Sequence, residues 1–246
     1  ADLGPSRHAR GKRKRRRLFI LFVLLVGGII ALAPSIVSVT PLRNQLFAWA
    51  LPEHAGVVTC QAASFSWFGG QSITGLQWND ADGNPLLLVQ RATLEQSLAS
   101  LALSRQTLGN LIVSQPTIHV DVDADGSNWE DALAKLPVGE DDVDPSPGDV
   151  VQGQVEVIDG KVEGRDLATG RTWRVDALKL SAASEPGGGA WSASGSGRAA
   201  AGAAALGELR FRVEPMAGDG HLIELFTEKL PLEPLRPWLA RSLPGC

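Results

Sequence analysis

From Val57 onward the chain alternates apolar and polar residues in short runs separated by Gly, Asp, Asn and Pro clusters, the pattern of half-buried strands. Residues 58–67 are β-compatible, Gly69-Gly70 marks a turn, and 72–78 places Ile73 on one face and Thr74 on the other. The cluster at 80–85 predicts a second turn, and the next run starts at Leu86 and reaches Leu94. A further run covers 107–122, broken or bulged at Pro116, with Ile118, Val120 and Val122 facing one way and His119, Asp121 and Asp123 the other. Residues 151–158 alternate, including Val157. Asp159-Gly160 then reads as a turn from which 161–165 pairs back. Strands follow at 172–180 (Trp173, Val175, Leu178, Leu180), 190–199, 206–213 and 221–228. Short helices are expected after Thr40-Pro41 (Thr as N-cap, Pro first in the helix), around 94–101, over 130–136 with Asn128 as cap, and in the Pro-rich tail at 231–239.

The N-terminal part breaks this pattern. Residues 18–39 hold no charge over 22 positions and show no polar stripe. A hydrocarbon core of ~30 Å needs about 20 such residues as a helix. The formal net charge of −4 conceals eight Lys/Arg within 7–17, and from position 40 onward 15 basic residues face 26 acidic ones. Arg13, Lys14, Arg15, Arg16 and Arg17 abut the apolar run, so the positive-inside rule predicts a cytoplasmic N-terminus and an acidic body across the membrane. Pro34 is expected to kink the helix near its exit. Ala31-Leu32-Ala33 has the small-x-small form of a signal-peptide cleavage site, but Pro34 follows it directly and the run exceeds an h-region of ~7–15 residues. An anchor is the preferred reading over a cleaved signal, and over a nucleic-acid patch.

The expected architecture is therefore mainly β: an N-terminal transmembrane helix followed by an elongated antiparallel, gutter-like curved sheet with a few short helices. The expected division is a basic cytoplasmic tail (1–17), a transmembrane helix (18–39), a first β region (40–138), an acidic Pro-rich loop (139–149) and a second β region (150–246) that reads as truncated at Cys246. A membrane-tethered β-sandwich is the alternative, because both architectures need one apolar face per strand. Residues predicted to line an apolar groove are Ile73, Leu86, Ile118, Val120, Val157 and Val175.

Catalytic motifs are weak or missing. Residues 121–127 begin like an EF-hand loop, but position 12 is Ala132 where a bidentate Glu belongs, and strand-like residues precede it. Gly195-Ser196-Gly197 has the wrong frame for a nucleophile elbow, and Gly160-Lys161 is followed by Val162 rather than Ser or Thr. His54, His119 and His221 are scattered, and Cys60 alternates into a strand face as a small hydrophobe. The Trp residues fall mostly on strands, with core packing as their default role and lipid-headgroup contact as the sharper one. No enzyme, cofactor, metal site or nucleic-acid partner is expected.

Several features line up in order. A single N-terminal anchor and a short helix come first, followed by Ser64-Phe65-Ser66-Trp67, the strand at 73–78 and Asp82-Gly83. Ala99-Ser100-Leu101, residues 108–112, residues 116–120 and Asp125-Gly126-Ser127-Asn128-Trp129 follow. Val157-Ile158-Asp159-Gly160-Lys161-Val162, with Asp166 and Gly170, extends the series. Over roughly 18–182 this order resembles the N-terminal region of the AsmA-like family, which includes TamB-type proteins. The resemblance implies an inner-membrane-anchored periplasmic protein with a gutter-shaped sheet and no catalytic residues. It also implies phospholipid as cargo, moved between membranes or used in outer-membrane assembly and homeostasis. The departures are the small size and the Gly/Ala-rich segment 184–207.

Overall fold

The computed structural model describes residues 9–50, 52–104, 107–123, 125–136, 152–184, 190–202, 204–216 and 221–227. The expected acidic loop at 139–149 and the tail helix at 231–239 lie outside these residues. Helix α1 (Ala9–Val39) passes through Pro34 and is followed by α2 (Leu42–Ala50) and a 3-10 turn (Glu53–Ala55). The strands are β1 (Val57–Thr59), β2 (Ala62–Ser64), β3 (Gln71–Asn79), β4 (Pro85–Leu94), β5 (Thr107–Val122), β6 (Gln152–Asp166), β7 (Thr172–Ser184), β8 (Trp191–Ala201), β9 (Ala204–Pro215) and β10 (His221–Thr227). Helix α3 (Leu98–Leu103) joins β4 to β5, and α4 (Asn128–Ala134) follows β5.

The ten strands of the described residues belong to one open sheet in the order β1-β3-β4-β5-β6-β7-β8-β9-β10, with β2 continuing the β1 edge along β3. Every pairing is antiparallel except β5 with β6. That parallel pair needs a crossover, since a tight turn joins only antiparallel neighbours. Asp123 accepts the Asp125 and Gly126 amides to turn the chain out of β5 into α4. A sandwich requires two sheets packed face to face, whereas the described strands form a single one.

Several local expectations are corrected. Asp159-Gly160 is not a hairpin turn: β6 runs straight through it as one 15-residue strand, with Asp159 at φ 54°. The strand expected at 58–67 is two short pieces parted at Cys60-Gln61, whose carbonyls accept hydrogen bonds from Arg43 of α2. Thr40 does not cap α2, because its hydroxyl bonds back to the Ile36 carbonyl. Ser127, not Asn128, caps α4 by accepting the Glu130 amide at 3.2 Å. Asn128 instead ties α4 to β5 through the Asp121 amide and the His119 carbonyl.

Among the described residues no single helix is long and apolar enough to cross a membrane. Leu24–Val39 and Leu42–Trp49, bent by 93°, pass by length and composition as a pair.

Candidate functional site

The registers sort the side chains of the sheet into rows, because residues directly opposite each other share a face. One row reads Ile73, Ala92, Val113, Val157, Leu180, Gly195, Phe211, Leu225, crossing from β3 to β10. Two residues along lies Gln71, Leu94, Leu111, Val155, Ala182, Ala193, Val213, Ile223. Towards the other strand ends, Trp78, Leu87, Ile118, Val162, Val175 and Ala199 form a third row, and Val120, Gly164, Trp173 and Ala201 a fourth. Gln71 is the one polar member of these rows, and its amide is used by Ser66, Gly69 and Gln96.

Simple alternation would place the first two rows on the opposite face from the last two. What reunites them is a band in which the apolar period slips by one residue in five successive strands: Ile73 to Leu76, Val89 to Ala92, Val113 to Pro116, Val157 to Gly160, and Val175 to Leu178. Four of those strands carry a residue in the left-handed region inside the slip: Gly75 (φ 61°), Gln115 (φ 50°), Asp159 (φ 54°) and Ala177 (φ 52°). For a non-glycine residue that conformation costs about 1–2 kcal/mol, so it persists only where the surroundings demand it. The result is visible at Gly160, where a Cβ would lie 3.0 Å from Val157 Cγ1, 3.2 Å from Pro116 Cγ and 3.3 Å from Leu178 Cβ. Residues three apart therefore share a face there. On the other side of the band the Gln115 amide donates to the Asp159 carboxylate at 3.0 Å.

Glycines serve this face as floor for rings. A Cβ on Gly164 would fall inside the Trp173 ring, and one on Gly195 would lie 2.5 Å from Phe211 Cε1. The low-complexity stretch of β8 thus has a packing reason: small residues lie beneath large neighbours. At one end of the face α4 lays Trp129 edge-on to Trp78, ring centres 5.5 Å apart, while its indole N–H donates to the His119 carbonyl.

The opposite face is mostly polar, with Leu88, Ile158, Leu222 and Phe226 exposed among its polar neighbours. Ser72, Thr93, Ile112, Glu156, Ser181, Ser194, Arg212 and Glu224 form one of its rows. Further along, Arg165 grips Asp121 with two hydrogen bonds of 3.1 and 2.8 Å, Glu163 pairs with Lys161 and lies 3.3 Å from His119 Nδ1, and Arg174 pairs with Asp176. Asp121 and Asp123, the first two oxygen positions of the EF-like loop, are thus engaged by Arg165 and by turn amides. No group of three or more His, Cys, Asp or Glu is placed to hold a metal among the described residues. Cys60 is buried, and burial pushes its thiol pKa up despite the nearby Arg43.

Of the residues predicted to line a groove, Ile73, Ile118, Val120, Val157 and Val175 all occupy positions in the apolar rows. Leu86 does not. It is the extra residue at a register shift, with 0% exposure, and Leu87 holds the place between Trp78 and Ile118. Arg13, Lys14, Arg15, Arg16 and Arg17 fall within α1. The sequence reading missed Leu111, Val113, Val155, Leu180, Phe211 and Val213. The three-residue spacing repeated in five strands was the signal that locates the first four, and plain alternation along β9 locates Phe211 and Val213. Compared with protein-family models and with curated proteins, the chain matches none.

Proposed function

We propose that this chain is an inner-membrane-anchored, non-enzymatic lipid-binding protein of the AsmA-like kind. In this reading α1 spans the membrane with its Arg13–Arg17 end cytoplasmic, the body stands in the periplasm, and the sheet curves into a gutter whose apolar face carries phospholipid acyl chains. The cargo serves phospholipid transfer between membranes or outer-membrane assembly.

The observation that carries the proposal is the continuous apolar face of a single-layer sheet, kept on one side by the slip in five strands. With ~4.8 Å between strands and ~6.8 Å between alternate residues, its rows project over on the order of 1,000 Å², within which Val175, Ala193, Ala199 and Val213 are buried by their neighbours while Ile223 and Leu225 lie open. The largest apolar patch of an ordinary monomer is ~300–600 Å². A face of that size needs a cover, and acyl chains supply one at ~0.8 kcal/mol per buried CH₂. Left-handed and bulged residues bend and twist strands, which supports curvature along the band. The 22-residue uncharged run behind a basic cluster supports the anchor.

Transfer of a fluorescent phospholipid from donor to acceptor vesicles by the full chain tests the reading. Wild type should accelerate transfer, and Ile118→Glu or Val120→Glu should reduce it while the fold is retained, because water reaches an open face. If the domain unfolds in Ile118→Glu and wild type moves no lipid, the face is internally covered and the proposal fails.

A further inference from the structure

Helix α2 turns three of its large apolar residues outward and two polar ones inward. An amphipathic helix on a water-facing protein turns its apolar stripe inward and its polar side to solvent. In α2 two polar residues face inward beside Phe47: Arg43 donates to the carbonyls of Ser38, Cys60 and Gln61, the last at 2.7 Å, and Asn44 accepts the Cys60 amide at 3.0 Å. Leu42, Leu46 and Trp49, spaced to share one helical face, point outward, and Trp49 is 79% exposed. This outward face carries no charge, and α2 leaves α1 at 93° after only Thr40 and Pro41.

The loop after β2 adds a second apolar element beside the same junction. Phe68 is 92% exposed at its tip, while the Trp67 indole donates to the Ile30 carbonyl of α1 at 2.9 Å and the Phe65 amide donates to the Ser38 hydroxyl. Ile30 lies nine residues before the end of α1. At 1.5 Å per residue this is about 13 Å along the helix axis. The loop is therefore pinned well down the flank of the uncharged helix, not at its polar exit.

We propose that the outward face of α2 lies in the interfacial layer of the bilayer and that the tip of the 65–70 loop dips beside α1 into the acyl region, so that the β1/β2 edge of the sheet rests on the membrane surface. The occupant of this face is lipid. A helix joined by two residues to a membrane span, bent through a right angle and uncharged on its free side, lies in the plane of the interface, with its apolar residues ~5–10 Å into the headgroup–acyl boundary. Trp49 suits that layer, where an indole keeps both an apolar body and a polar N–H satisfied, while the Trp67 N–H is satisfied deeper by the Ile30 carbonyl. The consequence deepens the proposed function: the first strands of the apolar face begin at the leaflet itself. The inference rests on α1 spanning the membrane, and the test separates the two.

The full chain, with Cys60→Ala and Cys246→Ala as background, is reconstituted in phosphatidylethanolamine–phosphatidylglycerol vesicles. A single environment-sensitive fluorophore is placed at Leu25→Cys, Leu46→Cys, Trp49→Cys, Phe68→Cys or Asp82→Cys. Nitroxide lipids then quench from shallow or deep acyl positions. The probe at Leu25→Cys should lose emission to the deep nitroxide. Those at Leu46→Cys and Trp49→Cys should lose it to the shallow one, that at Phe68→Cys to the deep one, and that at Asp82→Cys, in the polar β3–β4 turn, should keep it. If Leu25→Cys is quenched while Trp49→Cys and Phe68→Cys behave like Asp82→Cys, the anchor stands and the docking proposal is overturned. A blue shift at Trp49→Cys without quenching identifies a protein cover and overturns it equally. An unquenched Leu25→Cys removes the anchor reading and this inference with it.

Discussion

The two faces of the sheet are built from the same strands and differ in almost everything else. One is a field of Val, Leu, Ile, Ala, Gly and aromatic residues whose rows keep step from β3 to β10. The other carries Asp121–Arg165, Lys161–Glu163, Arg174–Asp176, Arg210–Glu208 and Arg212–Glu214 at partly or largely exposed sites. Such surface pairs contribute ~0–1 kcal/mol each, so their role is less to hold the sheet together than to mark which side meets water. The apolar side carries the burial energy. A one-layer sheet can hold this division only if each strand keeps its phase. In five strands that is achieved by a coordinated slip, three times with a non-glycine residue in the left-handed region.

The largest effect that sharpens the contrast comes from adjacent leucines in β4. Leu86 is sealed at the register shift, so Leu86→Ala should cost ~2–5 kcal/mol in a urea melt. Leu87, half-buried in the apolar row, should cost about 1–2 kcal/mol when replaced by Ala and should also lower phospholipid binding. Equal stability costs with no change in binding at Leu87→Ala would mean that the row is ordinary core.

Most strand positions were legible because alternation, turn clusters and β-branched runs agree locally, but the parallel pairing of β5 with β6 was not. The Pro116 irregularity was readable too, as a proline inside an alternating run. What alternation hid was the phase slip. A Val157-Ile158-Asp159-Gly160 sequence satisfies a hairpin turn as well as a left-handed residue within a strand, and only the pairing of β6 with both β5 and β7 decides between them. Leu86 was misplaced for the same reason: counting by twos cannot locate an extra residue that the partner strand does not have. The polarity of α2 was half legible. Leu42, Leu46 and Trp49 gave the helical spacing, but spacing does not say whether the stripe faces protein or the outside.

The smallest effect is expected on the charged face. Arg165→Ala removes the two bonds to Asp121 and should shift stability by ~0–1 kcal/mol, leaving phospholipid transfer at the wild-type rate. A marked loss of transfer there would show that the charged face takes part, and would dissolve the division between the two sides.

Face-resolved capture of lipid tests the central claim most directly. A photoreactive phenylalanine analogue is placed in the membrane-embedded full chain at Val113, Ile118 or Leu180 on the apolar face, and at Thr93, Thr117 or Ser181 on the other. Illumination followed by mass spectrometry of the protein should find phospholipid adducts at the first three positions and none at the second three. Adducts equally spread over both faces, or absent from Val113, Ile118 and Leu180 while the protein remains folded, would contradict an apolar face that holds lipid.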